Sequence, residues 1–155
     1  MTSQVWTEAQ FDEMSWHDNH VHAMRIVEGS HGAGDFILDV DHIVEWLRNG
    51  SEFSFRVVPV TLTFHDVTFL RISLDYATPT AGLVPFMIHG IERRSEQRPR
   101  YLAQVWKIDI SWPLGEITFE SRGFTQEARG SAILSKGQCL SASERARPEI
   151  TKAFQ

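Results

Sequence analysis

The 155-residue chain carries a single cysteine, Cys139. One thiol excludes an intramolecular disulfide framework and any structural zinc site built from several cysteines, and it suits a reducing compartment. Long hydrophobic runs are also missing. No stretch approaches 18 consecutive apolar residues, so we expect no membrane partner. The opening, MTSQVWTEAQFDEMSWHDNH, is polar and acidic and lacks the basic-then-apolar order of an export signal. We therefore expect a cytoplasmic protein. Asn49-Gly50-Ser51 matches a glycosylation sequon, but in such a protein it reads as a tight turn. Gly29-Ser30-His31-Gly32-Ala33-Gly34 has neither the spacing of a phosphate or dinucleotide loop nor a following helix, and reads as a hairpin loop. No Gly-x-Ser-x-Gly nucleophile elbow occurs, and Cys139 has no histidine near it in sequence. Positive charge is in deficit: 15 Lys+Arg face 20 Asp+Glu, a net charge of -5. That balance argues against a nucleic-acid partner. The local run Arg93, Arg94, Arg98 and Arg100 reads as a solvated loop.

What is present is alternation. Val60, Leu62 and Phe64 alternate with Thr61, Thr63 and His65; Leu70, Ile72, Leu74 and Tyr76 alternate with Arg71, Ser73 and Asp75. Leu102 to Trp112 and Ile117 to Phe119 follow the same period of two, the mark of strands with one buried face. His20 to Val27, Phe36 to Asp41 and Phe53 to Val57 read as further strands, and Leu83 to Ile91 as a strand buried on both faces. Pro59 is expected at an edge or bulge. Thr7-Glu8-Ala9-Gln10 and Ser141-Ala142-Ser143-Glu144 match capping boxes and predict short helices. His42 to Asn49 fits a short helix slightly better than a strand extension, and Thr125 to Arg129 fits one helical turn. We expect one domain over 1–155, a β-rich α+β fold: an antiparallel β-sandwich or partly open barrel of about eight strands with short peripheral helices.

The densest polar cluster is Trp16-His17-Asp18-Asn19-His20-Val21-His22. On a strand His20 and His22 project to one side, so with Asp18 and Asp39 they form a candidate site for a divalent transition metal. The alternative is a structural or exposed cluster in which Asp18 caps the turn. Asp39 and Asp41 share a face and repel when close; Asp41 also reads as the N-cap of the following segment, with Asp39 on the solvated face. Trp16 reads as core or pocket lining. His17, Asp41, His65, Asp66, Arg122 and Arg129 are candidate binding residues; Arg122 and Arg129 alternatively tie a C-terminal segment to the sheet.

The order of these motifs, Trp16-His17-Asp18 with Val21-His22, Leu38-Asp39-Val40-Asp41-His42-Ile43 with Trp46, Leu62-Thr63-Phe64-His65-Asp66-Val67, and Gly123-Phe124-Thr125-Gln126 with Arg129, resembles a group of small uncharacterised bacterial proteins. The His-Asp and Phe-His-Asp motifs are also loosely similar to immunity proteins that neutralise bacterial toxins. The second resemblance implies a protein partner. Two functions follow as expectations. The first is a non-enzymatic binding protein that engages a partner protein through its acidic surface. The second is a metal-binding protein or metal-dependent hydrolase or oxygenase. A small-molecule carrier rests on fold analogy alone. Edges near Pro59 and Leu83 are candidates for pairing in a homodimer.

Overall fold

The computed structural model describes residues 4–77 and 82–146. Among the described residues are nine strands: β1 (Val5–Thr7), β2 (His20–Glu28), β3 (Gly34–Asn49), β4 (Glu52–Leu74), β5 (Phe86–Gln97), β6 (Leu102–Trp112), β7 (Gly115–Glu120), β8 (Gly123–Ala128) and β9 (Ile133–Ser135). A 3-10 helix (Glu8–Glu13) and a one-turn helix, α1 (Ala142–Arg145), are the helical elements among the described residues. Both begin at the capping boxes legible in the sequence, at Thr7 and Ser141. All strand pairs are antiparallel, and β2-β3-β4-β7-β6-β5 follow one another around a ring. The ring closes between β2 and β5 through only His20↔Met87 and Val21↔Phe86, so it is not a regular barrel. Among the described residues no helix is long and apolar enough to cross a membrane.

β4 organises the sheet. One of its edges pairs with β3. The other edge takes β9 at 55–57, β8 at 60–65 and β7 from Thr68 to Leu74. Pro59 falls in the gap between β9 and β8. Its carbonyl accepts from the Arg129 N–H on that side, and a residue's N–H and C=O share a side in an antiparallel ladder, so the missing donor spares the β3 pairing and forgoes only the reciprocal bond at the end of β8. Pro59 is therefore tolerated in an interior strand, not at the edge expected. Asp66 and Phe69 have φ of 53° and 54°. These left-handed residues stand where β4 leaves β3 (Gly34↔Val67) and joins β7 (Thr68↔Glu120).

The inward face holds the core: Phe36, Leu38 and Val40 of β3, Val60, Leu62 and Phe64 of β4, Trp106 and Ile108 of β6, Phe119 of β7 and Phe124 of β8. Phe64 meets Phe119 edge-on at 4.7 Å and Trp106 at 5.3 Å between ring centroids. The outward face of β3 and β4 carries a second, smaller cluster: Ile43, Phe55, Val57, Ile133 and Leu140. Residues 129–145 cover this face.

Several local expectations change. His42 to Asn49 is strand, because Phe53–Val57 pairs along it after the Asn49-Gly50 turn. Thr125 to Ala128 is strand β8, held between β1 and β4. Leu83 precedes β5 and is exposed, and β5 alternates instead of burying both faces. The short strands β1 and β9 have too few residues to show a period. Phe64→Ala should cost about 3–5 kcal/mol in urea unfolding. Phe53→Ala, at the exposed hairpin end, should stay within about 0.5 kcal/mol.

Candidate functional site

The site lies on the outward face of β2 and β3. Val21 turns into the core, so His20 and His22 turn outward. A bulge between Val21 and Ala23 inserts His22 as an extra residue, and His20 stands across from Asp41. Asp39 and Asp41, two residues apart on β3, share that face, and both are buried, not solvated. Asp41 caps no helix, since β3 continues through it. The two histidines thus share a side with both carboxylates.

The C-terminal segment supplies the counter-charges. Arg129 follows β8 and pairs with Asp39 Oδ1 through Nη2. The Ser141 capping box fixes α1 so that Arg145 reaches back over both carboxylates: Nη2 pairs with Asp39 Oδ2 and Nη1 with Asp41 Oδ1. Asp41 Oδ2 accepts from the Leu140 N–H at 2.8 Å and from His22 Nε2 at 2.7 Å. Every carboxylate oxygen of the pair therefore has a donor. Desolvating two carboxylates costs several kcal/mol per ion unless charge and hydrogen bonds are returned, and here two guanidiniums return them.

Beneath this layer a neutral latch faces the core. His42 packs edge-on against Trp6 at 5.3 Å, and its Nδ1 accepts from Asn19 Nδ2 at 2.7 Å. Asn19 Oδ1 accepts from the Ile43 N–H. Accepting at Nδ1 fixes the Nε2–H tautomer of a neutral ring. Burial pushes the His42 pKa down from 6.5 to about 4. Burial also lowers His20, against the pull of the Asp41 charge, and His20 Nδ1 is buried without a hydrogen-bond partner among the described residues.

The remaining predicted residues lie elsewhere or serve the fold. Trp16 is buried in the core, its Nε1 donating to Gln126 Oε1 at 2.8 Å. His17 is exposed, with Nδ1 3.1 Å from the His89 carbonyl. Asp18 sits at φ 64° in the turn before β2 and accepts from Gln138 at 2.9 Å. His65, Asp66 and Arg122 belong to the bend of β4: His65 Nε2 lies 2.8 Å from Thr125 Oγ1, and Arg122 pairs with Asp66 in the open. The structure gathers His20, His22, Asp39, Asp41 and Arg129. It adds Asn19, His42, Cys139, Leu140 and Arg145, which sequence reasoning did not single out for this site. The Ser141 capping box was the one local clue to Arg145.

The cluster's chemistry is restricted. Cys139 Sγ lies 3.7 Å from His22 Nε2, but that nitrogen already donates to Asp41, so it cannot take the thiol proton. Burial, foremost, and the Asp41 charge raise the thiol to about 11. A relay needs the carboxylate and the nucleophile on opposite ring nitrogens, and here both face Nε2. Asp39 and Asp41 are both held by arginines. His22, Asp41 and Cys139 bring three different ligand atoms within 4.8 Å of one another. No known protein-family profile matches the chain, and no curated protein is significantly similar to it.

Three outcomes follow. Asp39→Ala removes a buried carboxylate that both Arg129 and Arg145 pair with and should cost about 3–5 kcal/mol in chemical denaturation. Arg122→Ala breaks a pair whose side chains are 66% and 64% exposed and should cost less than about 0.5 kcal/mol. Acid should act through His42. Above pH 6.5 it is neutral folded and unfolded; below, the unfolded chain takes the proton and the folded chain waits until about 4. Stability should therefore fall as pH drops through that window, by about 3 kcal/mol from this residue. His42→Gln should flatten the profile of unfolding free energy against pH by that amount.

Proposed function

We propose that the protein is a non-enzymatic binding module of the cytoplasm that engages a basic partner protein through the aromatic end of the β3–β4 hairpin. The observation that carries this reading is an apolar stripe leading from the second cluster out to solvent. Phe55, buried in that cluster, meets Trp46 edge-on at 5.0 Å. Beyond it Phe53 carries the Arg48 guanidinium at 5.6 Å. Trp46 and Phe53 are 48% and 51% exposed, and the neighbouring Val44 is exposed as well. Nothing in the packing of the described residues requires large aromatics to stand in water there. Tryptophan, phenylalanine and arginine are the residues that interfaces favour.

Four further points support it. The polar cluster, the other place for function, has both its carboxylates satisfied by the chain itself and holds no activated nucleophile. The net charge of -5 favours a basic partner and an association rate that falls with salt. The resemblance to immunity proteins points to neutralisation of such a partner as the form this binding takes. The single thiol supports a reducing compartment.

The test is reconstitution. A protein recovered with the wild-type chain should re-form a saturable complex from purified components. Trp46→Ser with Phe53→Ser should weaken that complex by about 100-fold or more, each position being an anchor of about 2 kcal/mol. Glu92→Ala, on another strand, should leave it unchanged. A complex indifferent to the double substitution, or the absence of any saturable partner at physiological salt, contradicts the reading.

A further inference from the structure

We propose that His22, Asp41 and Cys139 form a binding site for a thiophilic divalent cation, zinc above all, and that the ion takes over from the Arg145 guanidinium as the counter-charge of Asp41. This goes beyond partner binding and does not depend on it.

The donor set carries the argument. Imidazole nitrogen, carboxylate oxygen and thiolate sulfur are the three protein ligands that tetrahedral zinc accepts. Here one of each lies within 4.8 Å of the others. Zinc bonds of about 2.0–2.3 Å put neighbouring ligand atoms roughly 3.3–3.7 Å apart. The Sγ–Nε2 separation is already 3.7 Å. Nε2 and Asp41 Oδ2, now hydrogen-bonded at 2.7 Å, need to part by roughly half an ångström. The Leu140 N–H on Asp41 Oδ2 orients the carboxylate as an outer-shell partner. His20 stands across from Asp41 with its buried Nδ1 unpartnered among the described residues. It offers a hydrogen-bonding group to a water in the fourth position.

Charge selects the exchange. Asp39 and Asp41 are balanced by Arg129 and Arg145. A divalent ion with one thiolate carries a net single positive charge, the same as the guanidinium it replaces. Arg145 lies at the end of the one-turn helix α1, which has no buried residue, so it is the cation of the cluster free to swing away. Asp39 keeps Arg129. On binding, the His22 ring proton resides on Nδ1 and the Cys139 proton passes to solvent, so one proton is released per ion.

Cobalt(II) is the probe, titrated into the untagged full-length chain. The expected result is a saturable sulfur-to-cobalt charge-transfer band with the visible bands of tetrahedral cobalt, erased by equimolar zinc. Cys139→Ser should abolish the charge-transfer band. Cys139 Sγ lies 3.7 Å from His22 Nε2 and 3.8 Å from its acceptor, the Leu140 carbonyl, and serine nearly keeps its shape, so this variant should keep the fold, as circular dichroism verifies. Arg145→Gln removes the competitor and should tighten cobalt binding roughly tenfold. No charge-transfer band at saturating cobalt, or a band that persists in Cys139→Ser, overturns the site. An affinity unchanged or weakened by Arg145→Gln overturns the exchange.

Discussion

Two carboxylates buried side by side on one face of β3 are the constraint that the rest of the structure answers. Asp39 and Asp41 are two residues apart and hidden from water. Like charges on adjacent same-face positions repel, and burial strengthens the repulsion. Arg129 and Arg145 resolve it from the C-terminal segment, across 90 and 104 residues of sequence respectively. The price of charge burial falls on the same contacts that fix this segment in place. Leu140 is pinned twice, by its amide on Asp41 and by its side chain in the second apolar cluster. The polar cluster and the small core are therefore one fastening, half ionic and half apolar.

The bend in β4 explains why such a face exists. Up to Val67 the strand lies beside β3 and leaves their outer surface to the C-terminal segment; from Thr68 it serves β7. One chain of 23 residues thus supplies both the wall of the main core and the platform for residues 129–145. Where that cover stops, the apolar stripe of Phe55, Trp46 and Phe53 continues into solvent. The exposed aromatics are the uncovered end of a face that the fold otherwise closes.

Much of this is legible in the sequence. The period of two at Val60, Leu62 and Phe64 and at Trp106, Ile108 and Ile110 reports the inward faces, because one-sided burial imposes alternation. Asn49-Gly50 gives the hairpin, with Gly50 at φ 66°. The same-face rule places His20 and His22 with the acidic pair. The rule fails at Asp39 and Asp41, read as solvated, because alternation records which face is polar and not what later covers it. The covering segment offers only Ile133 and Leu140 as buried apolar anchors, too sparse for any period. His42 to Asn49 fits two periods because it is short, and only its pairing with Phe53–Val57 decides. Arg145 and Cys139 reach the site by tertiary packing, which no local pattern encodes.

The Leu140 amide is the most direct probe of the central claim, since it donates to Asp41 Oδ2 at the meeting point of the ionic and apolar halves. Residue-resolved hydrogen exchange at neutral pH should find it protected to a degree comparable with Val60 and Leu62 amides of β4, opening only with the sheet. Exchange of Leu140 at the rate of an exposed loop, with β4 still protected, would contradict the account. The C-terminal segment would then lie loosely on the sheet, and the buried carboxylates would need another explanation.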